Sequence, residues 1–490
     1  MISILAERAK SDPEAIVLIG SDEIFTAKRL YTDVLTCADQ LCTAGVNALA
    51  LQADNSPAWI IIDLACQHAN IRLVPLPVFF SENQLQHALD SSGVDALISL
   101  HPLQTGSDTL TISSLKVAGL TCQRRIPLNI ALPKGTDKIT FTSGSTGEPK
   151  GVCLTNQQQL AVAKGIVERL QLSNVCHLCL LPLSTLLENI AGVYAPLLAH
   201  GCVIAPSLDD LGMNGNSGIN ITKLITRIAG YQANSVILVP ELLLALVQAC
   251  QNGWQVPSSL SFIAVGGGKV SPALIRVARE YGLPVYEGYG LSECSSVVCL
   301  NAPGQDRMGS VGKPLPSFTV DIEDDEIHTS GNAFLGYVND PSSWGQKTVA
   351  TGDLGTIDDD GFVFVEGRQG NRLISSFGRN ISPEWIESEL LAGPLLAQAV
   401  VFGDAKPYCS AFVYPRKPET NRDEIEQWIN TVNQQLPDYA RIKRWHRLDQ
   451  ALTSDRQLLT ANGRPRRQAI QQQLADEISS LYQENEEVHC

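Results

Sequence analysis

Ile139-Thr140-Phe141-Thr142-Ser143-Gly144-Ser145-Thr146-Gly147-Glu148-Pro149-Lys150-Gly151 decides the reading of this chain. An apolar run of strand type enters a loop with three glycines, four hydroxyl side chains and one lysine. Glycines let the backbone aim N–H groups at one point, hydroxyls add donors, and the lysine adds charge. Together they form a cradle for phosphate oxygens. A Walker loop needs Gly, four residues, then Gly-Lys-Ser/Thr. Here Glu148 and Pro149 separate Gly147 from Lys150, so the lysine spacing belongs to a different kind of phosphate loop. The bland alternative is a surface linker, but a linker seldom begins at a strand end with so many donors.

The rest of the chain fits an enzyme-sized, folded protein. Its 490 residues suggest two to four units of roughly 100–200 residues. Hydrophobic residues make up 44% and charged residues 18%, enough to bury a large core. With 36 Lys and Arg against 51 Asp and Glu the net charge is −15, which argues against nucleic acid as a partner. Charges at Glu7, Arg8 and Lys10 stand where a signal peptide needs an apolar run. Pro240 and Glu241 interrupt the best apolar stretch, so no transmembrane segment is expected. The 13 cysteines are odd in number and lack framework spacing, as in reduced thiols of a cytoplasmic protein. Cys176, Cys179, His200 and Cys202 form no closed zinc set and read as core.

Short apolar runs alternate with helical patterns: strands at 15–19, 71–76, 96–100, 178–182, 203–206, 235–239 and 261–265, and a helix over 25–41. This alternation predicts an α/β fold of mainly parallel sheets flanked by helices. Near residue 350 the pattern changes. Asp358-Asp359-Asp360-Gly361 is a turn between two strands, hence a hairpin. We place the main boundary after it, giving units 1–369 and 370–490.

Further motifs occur in order: Leu181-Pro182-Leu183-Ser184-Thr185-Leu186-Leu187-Glu188, Val265-Gly266-Gly267-Gly268-Lys269, Glu287-Gly288-Tyr289-Gly290-Leu291-Ser292-Glu293, Thr351-Gly352-Asp353 and Gly367-Arg368. With the hydroxyl loop they resemble the AMP-forming adenylating superfamily over nearly the whole chain. The family joins a carboxylic acid to ATP, releases pyrophosphate and passes the acyl group from acyl-AMP to a thiol. The resemblance implies a large N-terminal AMP-binding domain with a small barrel-like part, and a small mobile α+β C-terminal domain hinged near Gly370. It places ATP phosphates at Thr142, Ser143, Gly144, Ser145, Thr146 and Gly147, with Lys150 as a catalytic cation. Gly267, Glu287 and Gly288 fall on the nucleotide side, Tyr289 against the adenine, and Ser292 at phosphate. Glu293 is implied as a catalytic residue and the Mg²⁺ ligand, because magnesium takes a carboxylate plus phosphates and water. Asp353 would accept both ribose hydroxyls with its two oxygens, and Arg368 would lie near ribose and phosphate.

Two later segments extend the likeness. Ser376-Phe377-Gly378-Arg379-Asn380-Ile381-Ser382-Pro383 is similar to long-chain acyl-CoA synthetases, with Gly378 beside the path of the CoA or phosphopantetheine thiol. Leu459-Thr460-Ala461-Asn462-Gly463-Arg464 departs from the family's L-T-x-x-G-K by putting Arg464 at the catalytic lysine position. The charge is kept, but a planar fork replaces a compact ammonium. Two readings follow: a working ligase, or a weakened nucleotide- or acyl-binding relative. Leu183–Leu187 carries no Asp to pair an amine, so an amino-acid substrate is disfavoured. A medium- or long-chain fatty acid is preferred, with an aryl acid as the alternative. The thiol partner is CoA or an acyl carrier protein, for which the basic run Arg441–Arg447 is a candidate dock.

Overall fold

The computed structural model describes residues 1–99, 110–142, 149–213, 218–377, 379–460 and 463–483. Two large sheets form the N-terminal part. In the nine-stranded sheet the order runs Lys313–Pro314, Cys299–Leu300, Val285–Tyr289, Phe262–Val265, Ser235–Leu238, Cys176–Leu178, Cys202–Ile204, Ile16–Ile19 and Ile24–Thr26. The strands from Val285 to Ile19 in this order pair in parallel, and antiparallel strands close both edges. The eight-stranded sheet repeats the plan. A parallel centre contains Lys138–Thr142, Arg72–Pro75, Ala48–Gln52 and Ala96–Ser99. Hairpins extend it on both flanks. The expected parallel character therefore describes the sheet centres. The strand that precedes the hydroxyl loop, Lys138–Thr142, pairs antiparallel with the strand that follows it, Lys150–Leu154.

Local signals explain the helices. Ala27–Thr43 buries Leu30, Val34, Ala38 and Leu41 on one face and is capped by Thr26 Oγ1, which accepts from the Arg29 amide. Pro57–Ala69 has Ser56 as N-cap and Pro57 in its first turn, and it ends at Asn70 with φ +54°.

A four-stranded antiparallel sheet, Thr319–Glu323, Glu326–Ser330, Thr348–Ile357 and Val363–Arg368, stands where the barrel-like part was expected. Beyond it, Leu396–Phe402, Cys409–Pro415 and Ile442–Arg447 make a three-stranded sheet with helices Pro383–Leu391 and Arg422–Gln435. This C-terminal part has apolar clusters of its own, one around Ile386, Val401, Ala411 and Ile429, the other around Phe402, Phe412, Leu458 and Ile470. Among the described residues no helix is long and apolar enough to cross a membrane, and the cysteines are free thiols.

Candidate active site

Strand Val285–Tyr289 runs into Gly290 and then a single 3-10 turn, Ser292–Cys294. Gly290 is required there: a Cβ would stand 1.5 Å from the Ser296 carbonyl oxygen. The Glu293 carbonyl accepts from the Phe334 amide at 2.7 Å, and its Oε1 accepts from the Tyr337 hydroxyl at 2.8 Å. Tyr337 lies on Gly336–Tyr337, which pairs with Lys150–Leu154. The Lys150 ammonium is 5.3 Å from the Tyr337 ring centroid, within cation–π range. One tyrosine thus joins Glu293 to the strand that leaves the hydroxyl loop. Burial, then the Glu293 carboxylate, push the Tyr337 phenol up, which keeps it a donor. Ser143, Gly144, Ser145, Thr146 and Gly147 lie outside the described residues. Their flanks do not: Thr142 and Lys150 are register partners across the hairpin.

A second group forms around Asp353. Thr348–Ile357 and Val363–Arg368 pair so that Asp353 and Arg368 face each other in register. Arg368 Nε lies 2.7 Å from Asp353 Oδ1, and the Tyr289 hydroxyl donates to Asp353 Oδ2 at 2.6 Å. Gly352 takes φ +69°, which a side chain would strain, and so turns the strand at this point. The Thr351 hydroxyl donates to the Ile327 carbonyl and accepts the Asp353 amide, fixing the bend. Burial pushes the Asp353 carboxyl up, while Arg368, Tyr289 and Arg464 oppose that shift. Both carboxylate oxygens therefore meet donors, the kind of partner a ribose diol offers. Tyr289, expected against adenine, uses its hydroxyl on Asp353.

Arg464 projects from a tight turn. The Thr460 amide bonds the Arg464 carbonyl at 2.8 Å, the Gly463 amide bonds the Thr460 carbonyl, and the Arg466 amide bonds the Leu458 carbonyl. Behind the turn, Arg467 makes two bonds to Glu387, at 2.7 and 2.6 Å, and a third to the Val401 carbonyl. Glu387 is 7% exposed and also accepts the Val401 amide, so this is a satisfied buried pair. So anchored, Arg464 reaches across to the large domain and donates to the Gly267 carbonyl at 2.5 Å. The structure thus brings Arg464, Gly267, Asp353, Arg368 and Tyr289 together. A further bond crosses between the parts, from Ser271 Oγ to Glu389 Oε2 at 2.8 Å.

Glu287 sits in the same strand as Tyr289 but is 5% exposed, and among the described residues its Oε2 has no hydrogen-bond partner. Burial pushes its carboxyl up to about 7, with Lys269 opposing. A raised carboxyl means that the folded state binds the proton more tightly. Its stabilisation is therefore full below pH 4.5 and is lost as pH rises toward 7. Glu287→Gln is expected to be more stable than the parent near pH 8 by up to about 3 kcal/mol, and equal to it near pH 4.5. Urea unfolding at both pH values checks the sign; a gap that widens toward acid overturns it.

Other expectations are placed as follows. Ser292 opens the 3-10 turn beside Glu293, and Gly288 lies in the strand between Glu287 and Tyr289. Gly378 falls outside the described residues. Gly370 lies in the 3-10 turn Gln369–Asn371, and a Cβ there would meet nothing within 4 Å, so close packing does not demand the glycine. The basic run near 441–447 is largely spent on its own fold. Arg441 donates to the Asn433 and Leu436 carbonyls, Arg444 to Gln483 and Arg447 to Pro418 and Thr420. Sequence reading missed Tyr337, whose only signal is an aromatic after Gly336. It also missed that His177, Cys179 and Glu188 lie with ligand atoms within 4.8 Å of one another. The 2.9 Å bond from His177 Nε2 to Glu188, with Ser235 on His177 Nδ1, already satisfies that histidine.

Two groupings, Lys150 with Tyr337 and Glu293, and Asp353 with Arg368 and Tyr289, thus fall on the motifs singled out in the sequence, with Arg464 joined to the Gly267 carbonyl. The chain belongs to the AMP-binding enzyme family. That family's model matches residues 5–332, and the AMP-binding enzyme C-terminal domain model matches residues 370–486. It is an AMP-forming acid–thiol ligase. The 2-succinylbenzoate–CoA ligase of Bacillus subtilis is 27% identical over 428 residues, covering 81% of this chain and 84% of that one. A long-chain-fatty-acid–CoA ligase of Mycobacterium bovis is 25% identical over 599 residues, covering 98% and 96%. The solved O-succinylbenzoate coenzyme A synthetase of Bacillus subtilis, in complex with ATP and magnesium ion, shares the fold at TM-score 0.75. Its identity is 24%, with 95% and 98% coverage.

Proposed function

We propose that this ligase activates an aryl carboxylic acid with ATP and transfers the acyl group to CoA. The carrying observation is the convergence of Lys150, Tyr337 and Glu293, which sets a carboxylate and a cation at the start of the strand that follows the hydroxyl loop in the chain. In the first step a substrate carboxylate oxygen attacks the α-phosphorus of ATP, and the bond to pyrophosphate breaks. Lys150 and the loop residues offset the charge on the departing phosphates. Asp353 and Arg368 hold the ribose, and Arg464 lies between substrate carboxylate and α-phosphate. Glu293 fits a hard cation that keeps most of its coordination for phosphate and water; magnesium there would neutralise triphosphate charge. In the second step the thiol sulfur attacks the acyl carbon, AMP leaves with the bonding pair, and the thiol proton passes to solvent.

Succinylbenzoate ligases among the relatives support the aryl acid. A fatty acid is the second reading, supported by the relative matched over 98% of the chain. CoA is preferred to an acyl carrier protein because the relatives matched are CoA ligases. Screening benzoates, succinylbenzoate and fatty acids for AMP release, each with CoA or holo carrier protein, tests the assignment. Acid-dependent AMP release, largest with an aryl acid and CoA, is expected. Release of ADP, or release indifferent to any acid, overturns it.

A further inference from the structure

Two buried polar clusters grip one short segment from opposite sides. The segment is Glu188–Tyr194, a π-helical turn continued by Ala195–Leu198. Such turns carry an extra residue in the helical ladder and persist where something holds them. On one side Glu188 bonds His177 and the Leu181 amide. On the other, Asn189 and Tyr194 meet Asp63 and Lys138. The Lys138 ammonium donates to Asn189 Oδ1 at 2.6 Å and to Tyr194 OH at 2.9 Å, and it forms an ion pair with Asp63 Oδ1 at 2.8 Å. Tyr194 OH donates to Asp63 Oδ2 at 2.5 Å, and the Asn189 amide donates to the same oxygen at 3.1 Å. Gln67 adds a donor to the tyrosine oxygen. Lys138 and Asp63 side chains are each 1% exposed.

A buried ion pair is a weak stabiliser, because desolvation offsets most of the attraction. Its placement carries more meaning than its energy. Lys138 opens the strand Lys138–Thr142, which feeds the hydroxyl loop. Asp63 lies on helix Pro57–Ala69, packed over the same sheet's side of the core. Asn189 and Tyr194 lie on the segment that follows Leu183–Leu187, the stretch from which the sequence reading judged the substrate acid, here called the acyl side. The network therefore ties the phosphate-side strand of one sheet to the acyl-side segment that packs on the other. We propose that Asp63, Lys138, Asn189 and Tyr194 are positioning residues that hold the α-phosphate and the attacking carboxylate in register. The inference rests on the adenylation reading above. Misplacement of reacting groups by about 1 Å costs on the order of 10²-fold in rate, so a remote lock can matter this much.

The test is the double variant Asp63→Asn with Lys138→Met, which removes both charges while leaving Tyr194 and Asn189 a partner. Two readouts are taken: acid-dependent ATP–pyrophosphate exchange, and amide hydrogen exchange across residues 186–198. We expect kcat for exchange to fall at least about tenfold with the KM for ATP nearly unchanged. Amides of 188–194 should exchange faster although neither substitution lies there. Unaltered protection in 188–194, or kcat per folded molecule within about twofold of the parent, overturns the proposal. Hydrogen exchange needs no turnover. If the parent itself shows no acid-dependent exchange, the functional reading fails while the mechanical coupling is still decided. If the double variant does not fold, Tyr194→Phe, which keeps the ion pair, decides on the same two readouts.

Discussion

Glu293→Gln lowers acid-dependent pyrophosphate exchange by about 10²–10³-fold, the range seen when one preorganised electrostatic group at a reacting centre is removed. The substitution keeps size and the acceptor oxygen that takes the Tyr337 hydroxyl at 2.8 Å, so the fold should hold. What it removes is the negative charge that a hard cation needs from the protein. The loss should therefore appear as a steeper demand for magnesium, with the apparent magnesium KM raised and saturation only partly restoring the rate. Tyr337→Phe leaves the carboxylate in place but frees its orientation; a loss of one hydrogen bond to a charged group predicts about tenfold. Titrating magnesium for the parent and both variants separates the two effects. An unchanged magnesium dependence in Glu293→Gln would remove Glu293 from the metal role. The Tyr337 result would then report only on the loop hairpin.

The parts of this molecule legible in its sequence are those set by local chemistry. Ser382-Pro383 marks a helix start, and the serine is the helix cap in the structure. Asp358–Gly361 marks a hairpin, which forms between Thr348–Ile357 and Val363–Arg368. The Thr351-Gly352-Asp353 turn and Arg368 look separate along the chain, yet the hairpin register alone brings Asp353 and Arg368 face to face. What sequence could not supply is pairing across long separations. Nothing near Lys138 announces that its ammonium is buried against Asp63, because an isolated lysine beside an apolar run reads as a strand end. Ser235 to Cys250 was legible as apolar, but not where its strand sits in the sheet order. The π-turn at Glu188–Tyr194 is equally silent, since its apolar spacing resembles an ordinary helix. The run at 441–447 misled for a related reason. Charge clustering is visible in sequence, whereas the backbone carbonyls that absorb Arg444 and Arg447 come from residues that only the fold brings near.

Arg464 yields the other large expected effect, and its geometry separates two substitutions that charge alone would equate. One arm of the guanidinium is committed to the Gly267 carbonyl at 2.5 Å, and the charge lies near enough to Asp353 to act on its carboxyl. Arg464→Ala removes both the positive charge and one of the bonds between the small and large domains. Exchange is expected to fall by about 10²–10³-fold, as for loss of a main anion-stabilising group. Arg464→Lys keeps the charge but has a single compact head, which cannot hold Gly267 and face two anions in the same fixed fork. An intermediate loss of about tenfold follows, the worth of roughly one charge-assisted hydrogen bond. The two variants should also differ in the second half-reaction. Supplied with preformed acyl-AMP and CoA, neither has an α-phosphorus attack to promote, so thioester formation should change far less than exchange. Equal rates of exchange for parent, Lys and Ala forms would mean that Arg464 serves only as an interdomain strut. In that case the arginine at the family's lysine position would mark a chain whose adenylation depends on Lys150, Arg368 and the hydroxyl loop alone.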